Sequence, residues 1–169
     1  MRLAHVYTPN SGAALARLGY RTGAAGWDAR FFGALASRGV HVAGGDYNVA
    51  VEDADFYNPE AKHMATQAGT TPEERASMRA RLANSGYVDA FRARHPEASG
   101  QYTYWSQRAR NRPRNRGLRL DYWLVAEAVA GGSGALADAQ HLQRLGGSDH
   151  CPILLTLDAE ALARAAQGE

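Results

Sequence analysis

The sequence lacks the features that mark several large classes of protein. It has one cysteine, Cys151, in 169 residues, so no internal disulfide forms and a reducing compartment suits the chain. No apolar run approaches the roughly 18 residues that a membrane span needs. The first residues, MRLAHV, do not follow the basic, apolar and small-residue order of a secretory signal. We therefore expect a protein without membrane segments, located in the cytoplasm, or in the nucleus if the source is a eukaryote.

A strong excess of one charge is also missing, since the formal net charge is only +2. This value alone does not indicate a nucleic-acid partner, but the positive charge is unevenly distributed. The stretch SQRARNRPRNRGLR, residues 106–119, contains six arginines. No internal repeat is visible, and the length favours a single domain.

Hydrophobic patterns predict more strands than helices. Helices are predicted at residues 27–39 and at residues 71–86, where Thr71, Pro72 and Glu74 form a capping-box start. The pattern of residues 158–169 indicates either a weak amphipathic helix or a frayed end. The long connections between strands argue against simple hairpins, so we predict an α/β sandwich with functional loops at one sheet edge. The predicted strands are residues 2–7, 102–105, 118–125 and 152–157, and residues 40–48 predict a strand that runs into a tight turn.

Four short pieces place polar side chains at or near strand ends: YTPN, GGDYN, LRLDY and GGSDH. Each piece alone has an ordinary structural interpretation. An aspartate after two glycines is usually a turn residue, and a carboxylate such as Asp121 within an apolar strand is often satisfied by backbone. His150 alone is most simply a packed or exposed histidine, and Asp149 alone a turn cap.

Together these pieces contain the groups that phosphodiester hydrolysis requires. An anionic phosphodiester resists attack until its charge is neutralised and a water is deprotonated. Asp46 can accept that proton, and Asn48, two residues on in an extended segment, projects to the same side and can orient the water. His150 can donate to a phosphate oxygen, most effectively if Asp121 holds its other ring nitrogen.

Three further residues complete this set. Tyr7 and Asn10 can add hydrogen-bond donors to the developing charge. Asp149 is a hard oxygen ligand suited to Mg²⁺, which proteins bind through one or two carboxylates and retained waters.

Seven segments of the chain resemble the exonuclease III/apurinic-apyrimidinic (AP) endonuclease family, and they occur in that family's order between Arg2 and Leu157. The segments are VYTPNSGAALARLGYR, GGDYNVA, NPE with GTTPEERASM, YVDAFRARHP, YTYWSQRARN, NRGLRLDYWLV and GSDHCPILLTL. The resemblance implies a four-layered α/β sandwich, with two packed β-sheets between helices. It also implies hydrolysis of DNA 5′ to an abasic site with Mg²⁺ as cofactor, Mn²⁺ being an alternative, and an accompanying 3′→5′ exonuclease or 3′-phosphodiesterase activity. The expected partner is double-stranded DNA with an abasic site or a 3′ end.

The resemblance also assigns roles to residues by matching position. The implied catalytic residues are Tyr7, Asn10, Asp46, Asn48, Asp121 and His150, and the implied metal contacts are Asp46, Asn48, Asp149 and His150. Asp46 and His150 are alternatives for the group that deprotonates the water. The implied DNA contacts are Tyr104, Arg108, Arg110, Arg112 and Leu118, and Arg17 and Arg21 are weaker candidates. The alternatives are a solvated basic loop for the arginines and ordinary core packing for Tyr104 and Leu118.

The main departure from the family is length. Family members supply an asparagine and a metal-binding glutamate from a first half that has no counterpart here, so residues 1–158 are predicted to be the C-terminal half of a domain and residues 159–169 a tail. We expect the isolated chain to expose apolar sheet surface, to be marginally stable and to have weak or no activity. Another chain is a candidate source of the missing half. Two alternatives remain: another phosphoesterase of the endonuclease/exonuclease/phosphatase superfamily, or a non-catalytic remnant that binds DNA or a partner.

Overall fold

The computed structural model describes residues 1–132 and 134–167. Strands and helices alternate along much of this part of the chain, and none of its helices is both long and apolar enough to cross a membrane. The strands are β1 (Leu3–Tyr7), β2 (Val42–Asp46), β3 (Tyr87–Asp89), β4 (Asp121–Ala126), β5 (Leu136–His141) and β6 (Ile153–Leu157). The α-helices are α1 (Leu18–Thr22), α2 (Trp27–Ser37), α3 (Pro72–Ser85), α4 (Ala90–Arg94) and α5 (Ala159–Gln167).

The strands form two sheets. The larger has the order β1-β2-β4-β3, in which β1 and β2 are parallel and β4 is antiparallel to both of its neighbours. The smaller sheet is the antiparallel pair β5 and β6. Helices α2 and α3 pack together beside the large sheet, and α4 contacts β4 and β5. The predicted mixed α/β architecture, with two sheets flanked by helices, is therefore confirmed.

Helix α3 begins where the capping box predicts. Thr71 Oγ1 accepts a hydrogen bond from the Glu74 amide (3.2 Å), and the Glu74 carboxylate accepts one from the Thr71 amide (3.3 Å). Pro72 occupies the first turn, where its missing N–H costs nothing. The helix ends at Gly86, which adopts a left-handed conformation (φ 70°).

Two glycines allow β2 to sit tightly between its neighbours. A Cβ on Gly44 would lie 2.2 Å from the Trp123 ring, and one on Gly45 would lie 2.0 Å from the Val6 carbonyl oxygen. Gly45 also has φ +141°, which side-chain-bearing residues rarely adopt. The ordinary interpretation of GGD as a turn is therefore wrong, because these glycines lie inside a central strand and permit close contact on both sides.

Several features of the predicted secondary structure are wrong, and helices α1 and α4 were not predicted. Residues 102–105 form no strand; Tyr104 makes only isolated bridges, to Leu118 and to His150. Strands β3 and β5 were not predicted, because YVD is too short to show a period and LADAQH is weakly apolar. Finally, β2 ends at Asp46, so Asn48 does not lie in an extended segment. The predicted tail is helical as far as Gln167, and residues 168–169 lie outside the described residues.

Apolar side chains remain exposed on β1 and β6. Leu3 is 60% exposed and Leu154 is 44% exposed. A cleft of about 390 Å³ lies between the large sheet and β6, and residues of both sheets line it, including Val6, Trp123 and Ile153. These exposed leucines agree with the expected uncovered sheet surface, which stays a prediction.

A buried ion network ties the segment after β2 to the segment before β4. Both carboxylate oxygens of Asp55 accept hydrogen bonds from the Arg119 guanidinium at 2.8 Å, and Arg92 adds a third at 2.7 Å. Arg119 also forms an ion pair with Asp89 at 2.6 Å. Asp55 and Arg119 are 0% and 1% exposed, so their charges depend on one another for compensation.

We predict that His141 makes the stability of the fold sensitive to acid. Burial, together with the positive charge of Arg119, lowers the pKa of His141 to about 3. The ring stacks on Phe91, with 4.0 Å between centroids, and its Nδ1 bonds the Gln101 carbonyl. Because the unfolded chain protonates this ring below about pH 6.5 and the folded chain does not, stability falls by about 1.4 kcal/mol for each pH unit from about 6.5 towards 3.

Urea unfolding at pH 7 and pH 5 measures this effect. His141→Gln is expected to reduce the difference in unfolding free energy between the two pH values. His63→Gln is the matched control, because His63 is exposed. Equal pH dependence in the wild type and His141→Gln would contradict the prediction.

Candidate active site

Tyr7, Asp46 and Asp121 form one row across three adjacent strands. Tyr7 pairs with Asp46 in the register of β1 and β2, and Asp46 pairs with Asp121 in the register of β2 and β4. Residues directly opposite one another project to the same face of a sheet. The structure thus brings together three candidate residues that are separated by up to 114 positions in the sequence, Tyr7 being 69% exposed.

His150 joins this row from the segment between β5 and β6. Its Nδ1 donates to Asp121 Oδ2 at 2.7 Å, the carboxylate being the acceptor. Backbone hydrogen bonds from Trp105 to Asp149 and from Cys151 to Thr103, both 2.8 Å, hold the chain on either side of His150. The other ring nitrogen, Nε2, has no hydrogen-bond partner among the described residues, so it is the nitrogen that can meet a ligand.

Asn48 holds the carboxylate of Asp46 although it lies beyond the strand. It adopts a left-handed conformation (φ 50°), which turns the chain back so that its amide nitrogen meets Asp46 Oδ1 at 2.8 Å. Its side-chain Nδ2 donates to Asp46 Oδ2 (3.0 Å) and to the Thr8 carbonyl (2.9 Å). Asn10 in turn donates to Asn48 Oδ1 at 2.8 Å. The side-chain amide of Asn48 is therefore occupied by protein groups and orients Asp46. We had expected this side chain to orient a water.

Arg21 fixes the backbone of this turn. It is 1% exposed and donates to the carbonyls of Tyr47 and Asn48 and to the carboxylate of Glu74. Glu74 also accepts a hydrogen bond from the hydroxyl of Ser11. The buried pair of Arg21 and Glu74 therefore supports both the loop after β1 and the turn after β2. The weaker suggestion that Arg21 contacts DNA is wrong, because its guanidinium is enclosed. The sequence contains no signal for this role of Arg21, because the residue type alone does not indicate whether an arginine is buried.

The electrostatics of the row favour two different protonation states. Burial raises the pKa of Asp46 to about 6, and the neighbouring Asp121 carboxylate adds to the shift. For His150, burial opposes the charged ring, but the hydrogen bond to Asp121 and the nearby carboxylates outweigh it and raise its pKa. Near neutral pH, Asp46 is thus suited to accept a proton and His150 to hold one.

A cleft of about 800 Å³ opens beside this row. Tyr104 and Leu118 both line it, and Tyr104 also lies against the His150 ring, with 5.0 Å between centroids. At the rim, the Arg116 guanidinium stacks over the exposed ring of Tyr57 at 5.1 Å. The residues that line the cleft include Tyr7, Asn10, Asn48, Tyr57, Tyr104, Asn111, Arg116 and Leu118.

The arginines proposed to contact DNA fall into two groups. Arg17, Arg108 and Arg110 are exposed, and their side chains have no hydrogen-bond or ion-pair partner within the described ranges. Arg112 differs, because its guanidinium donates to backbone carbonyls of residues 143–150. Arg112 is half-buried, and its terminal nitrogens are occupied by backbone carbonyls, unlike those of the other three arginines.

The carboxylates near the row could hold a hydrated divalent cation but do not form a complete metal cage. Within residues 1–132 and 134–167, no three histidine, cysteine or acidic side chains cluster as a metal-binding group. Asp149, a half-buried residue, has one carboxylate oxygen 3.3 Å from the Ser148 hydroxyl. A hydrated Mg²⁺ needs only one or two carboxylates, so Asp46 and Asp149 suit it if a substrate phosphate and water supply the remaining ligands.

Comparisons with known proteins identify a matching family and similar proteins. Residues 3–150 match the Endonuclease/Exonuclease/phosphatase family. The chain is 37% identical over 158 residues to the DNA repair nuclease APEX1 of Danio rerio, covering 92% of this chain and 48% of that protein. It is 36% identical over 156 residues to an exodeoxyribonuclease of Bacillus subtilis, covering 90% of this chain and 58% of that protein.

Solved structures show the same likeness. The crystal structure of the AP endonuclease LMAP from Leishmania major superposes with a TM-score of 0.82 at 34% identity, over 92% of this chain and 50% of that chain. A Neisseria 3′ phosphatase, NExo, bound to a product DNA hairpin superposes with a TM-score of 0.75 at 27% identity, over 92% of this chain and 60% of that one. The chain thus spans about half the length of the relatives it matches.

Proposed function

Because this chain belongs to the endonuclease/exonuclease/phosphatase family, we propose that it forms the catalytic row of a DNA repair nuclease of the AP endonuclease/exonuclease III type. The proposed reaction is hydrolysis of the phosphodiester 5′ to an abasic site, with 3′→5′ exonuclease or 3′-phosphodiesterase activity at 3′ ends. The observation that carries the proposal is the row of Tyr7, Asp46 and Asp121, with His150 bonded to Asp121 at 2.7 Å. We infer that residues 1–158 are part of one catalytic domain and residues 159–169 its tail.

In the proposed mechanism, Asp46 takes the proton from the attacking water. Its raised pKa of about 6 makes it a stronger base than an ordinary aspartate while leaving it mostly ionised at neutral pH. The two hydrogen bonds from Asn48 keep its carboxylate in one orientation. Positioning of this kind reduces the entropy that the transition state must lose.

His150 is proposed to donate through Nε2 to the phosphate. Asp121 fixes the ring through Nδ1 and favours its protonated form, so the donor is already placed when negative charge develops. The exposed phenol of Tyr7 lies in the same row and can add a second donor. The alternative in which His150 is the base requires a neutral ring, which the raised pKa disfavours.

Nucleases of this superfamily typically use divalent metals, and we infer that Mg²⁺ or Mn²⁺ serves here. Asp46 and Asp149 would hold it, with Asn48 and His150 as the further contacts implied by the family resemblance. When bound, the cation would supply positive charge that neutralises the phosphodiester. Asn48 Oδ1 already accepts a hydrogen bond from Asn10, so metal binding by Asn48 would require Oδ1 to be shared between Asn10 and the cation.

The cleft beside the row is proposed to receive the substrate. Tyr104 and Leu118 offer an aromatic and an aliphatic wall next to His150, which suits an extruded sugar that carries no base. The exposed guanidinium groups of Arg17, Arg108 and Arg110 are proposed to contact DNA phosphates. We infer double-stranded DNA with an abasic site or a 3′ end as the partner.

Replacing Arg110 tests the phosphate contacts. Arg110→Gln is expected to weaken DNA binding mainly at low salt and to reduce the slope of log affinity against log salt by about 1, because one fewer counterion is released. Fluorescence anisotropy with a labelled duplex at several salt concentrations gives the slope. Arg38→Gln is the control, because exposed Arg38 follows α2 at the opposite end of the sheet. An unchanged slope in Arg110→Gln would remove this arginine from the interface.

We also propose that the exposed sheet surface binds the part of the family fold that this chain does not contain. The chain covers 48% and 58% of two relatives. Leu3 on β1 and Leu154 on β6 are exposed, and residues of both sheets line a cleft. Burying this surface would stabilise the chain roughly in proportion to the apolar area removed from water. The missing part would come from another chain or from the same polypeptide.

An activity panel tests the proposed function. Its substrates are an abasic duplex, a duplex with a 3′-phosphate end and small phosphoesters, each with Mg²⁺ and with a chelator. The chain is assayed alone and joined to the part of the Bacillus subtilis relative that the match does not cover. We expect little cleavage by the chain alone and preferential cleavage of the abasic duplex by the joined protein. Preference for small phosphoesters would favour another phosphoesterase, and DNA binding without cleavage would favour a non-catalytic remnant.

A further inference from the structure

One side chain from a distant loop bonds several backbone carbonyls of the segment 142–150, which ends in Asp149 and His150. Arg112 Nη1 donates to the Ser148 carbonyl at 2.7 Å and approaches the His150 carbonyl at 3.4 Å. Its Nη2 donates to the Gln143 carbonyl at 3.0 Å and also to the Leu145 carbonyl. One planar guanidinium thus spans four backbone carbonyls of the same segment.

The Arg112 guanidinium is itself held in place by stacking on the Trp105 ring. Its central carbon lies 4.6 Å from the centroid of the Trp105 ring, a stacking distance for a cation on an aromatic face. Trp105 is 2% exposed, donates from its indole to Asn115 at 3.1 Å, and donates from its amide to the Asp149 carbonyl. Arg112 therefore has a fixed position relative to the backbone beside His150.

The neighbouring arginines do not share this arrangement. Arg110 and Arg114 are exposed, and no hydrogen bond or ion pair of their side chains occurs within the described part of the chain. Both terminal nitrogens of Arg112 already donate to backbone carbonyls, so a DNA phosphate that bound them would have to displace those bonds. The clustered arginines consequently divide into surface residues that can meet phosphate and one residue that holds the structure.

We propose that Arg112 is a positioning residue for His150: it fixes the 142–150 segment and so keeps the imidazole on Asp121. The catalytic meaning of that position rests on the proposed function, but the anchoring itself does not. Arginine is needed because a planar fork bonds several carbonyls while stacking on an indole, whereas a lysine ammonium is a compact point charge. Without Arg112, the four carbonyls would accept hydrogen bonds from solvent water instead, and the segment would move more freely.

The first experiment measures anchoring in the chain without any assay of activity. Arg112→Gln and Arg112→Lys are compared with Arg144→Gln, an exposed arginine of the same segment. Hydrogen exchange of the Leu145 and His150 amides, both hydrogen-bonded in the fold, is expected to accelerate about tenfold or more in both Arg112 variants. The downfield Nδ1 proton of His150 is expected to broaden in these variants. Arg144→Gln should change neither signal.

The second experiment uses the joined protein described above. Arg112→Gln is expected to lower kcat about a hundredfold with little change in KM or in the salt dependence of binding. Arg112→Lys should not restore kcat, and Arg110→Gln should alter the salt dependence instead. The proposal is overturned if Arg112→Gln leaves the exchange rates and the His150 proton unchanged, or if it lowers the salt slope as a phosphate contact does. An inactive joined protein would count against the proposed function alone, since the first experiment still decides the anchoring.

Discussion

Replacing His150 with alanine in the joined protein is expected to lower turnover of an abasic duplex about a thousandfold, because a positioned acid or base contributes roughly that much. Affinity for DNA should change little, since the ring is one donor beside several arginines. The expectation follows from the 2.7 Å bond to Asp121 and from the raised pKa of His150, which together place a protonated ring in the row. Single-turnover kinetics give the rate, and anisotropy gives the affinity.

Asp121→Asn provides the companion measurement, because it keeps the shape of the side chain and removes its charge. If Asp121 acts through His150, the double variant should be no slower than His150→Ala alone, as is typical of residues that function as one unit. Fully additive losses would show that the two residues act separately. A His150→Ala enzyme with near-normal turnover would exclude this histidine from the chemistry.

Replacing Asp55 with asparagine is expected to destabilise the chain by about 3–5 kcal/mol, because it leaves the buried Arg119 guanidinium poorly compensated. Burial alone would raise the pKa of Asp55, but Arg119 and Arg92 outweigh it and lower the pKa, so the carboxylate is charged at neutral pH. Domains of this size are stable by only about 5–15 kcal/mol, so much of the variant should be unfolded at moderate temperature. Urea unfolding followed by tryptophan fluorescence measures the loss.

Asp53 supplies a matched control within the same short helical turn. Its side chain is 70% exposed and pairs with Arg75, a surface ion pair of the kind that contributes less than about 1 kcal/mol. Asp53→Asn should therefore leave the unfolding midpoint almost unchanged. Similar losses in the Asp53 and Asp55 variants would contradict the view that burial of the network decides its contribution.

The sequence was sufficient to predict the elements whose signals are local. Helix α3 has a capping box and a terminal glycine, and strands β1, β4 and β6 have apolar patterns long enough to show a period. Strands β3 and β5 depend on β4 and β6 for their pairing, so their short or weakly apolar sequences do not reveal them. The same holds for residues 102–105, whose β-like composition is used in two isolated bridges.

The candidate site divides in a similar way. Asp46, Asp121 and His150 could be proposed from chemistry and family resemblance, because acids, bases and their partners are few in kind. That they meet depends on the register of β2 and β4, which no local pattern reports. The supporting roles of Arg21 and Arg112 were not predictable, because burial and the choice of backbone acceptors are decided by the assembled fold.

The close packing of β2 has a consequence at the level of the gene. Neither Gly44 nor Gly45 has room for a Cβ, so alanine, the mildest replacement, already collides with the Trp123 ring or the Val6 carbonyl. Third-base changes in a glycine codon are silent, whereas first- and second-base changes replace the amino acid. In a deep mutational library, these two codons should therefore retain only synonymous variants, even though neither glycine carries a reactive group.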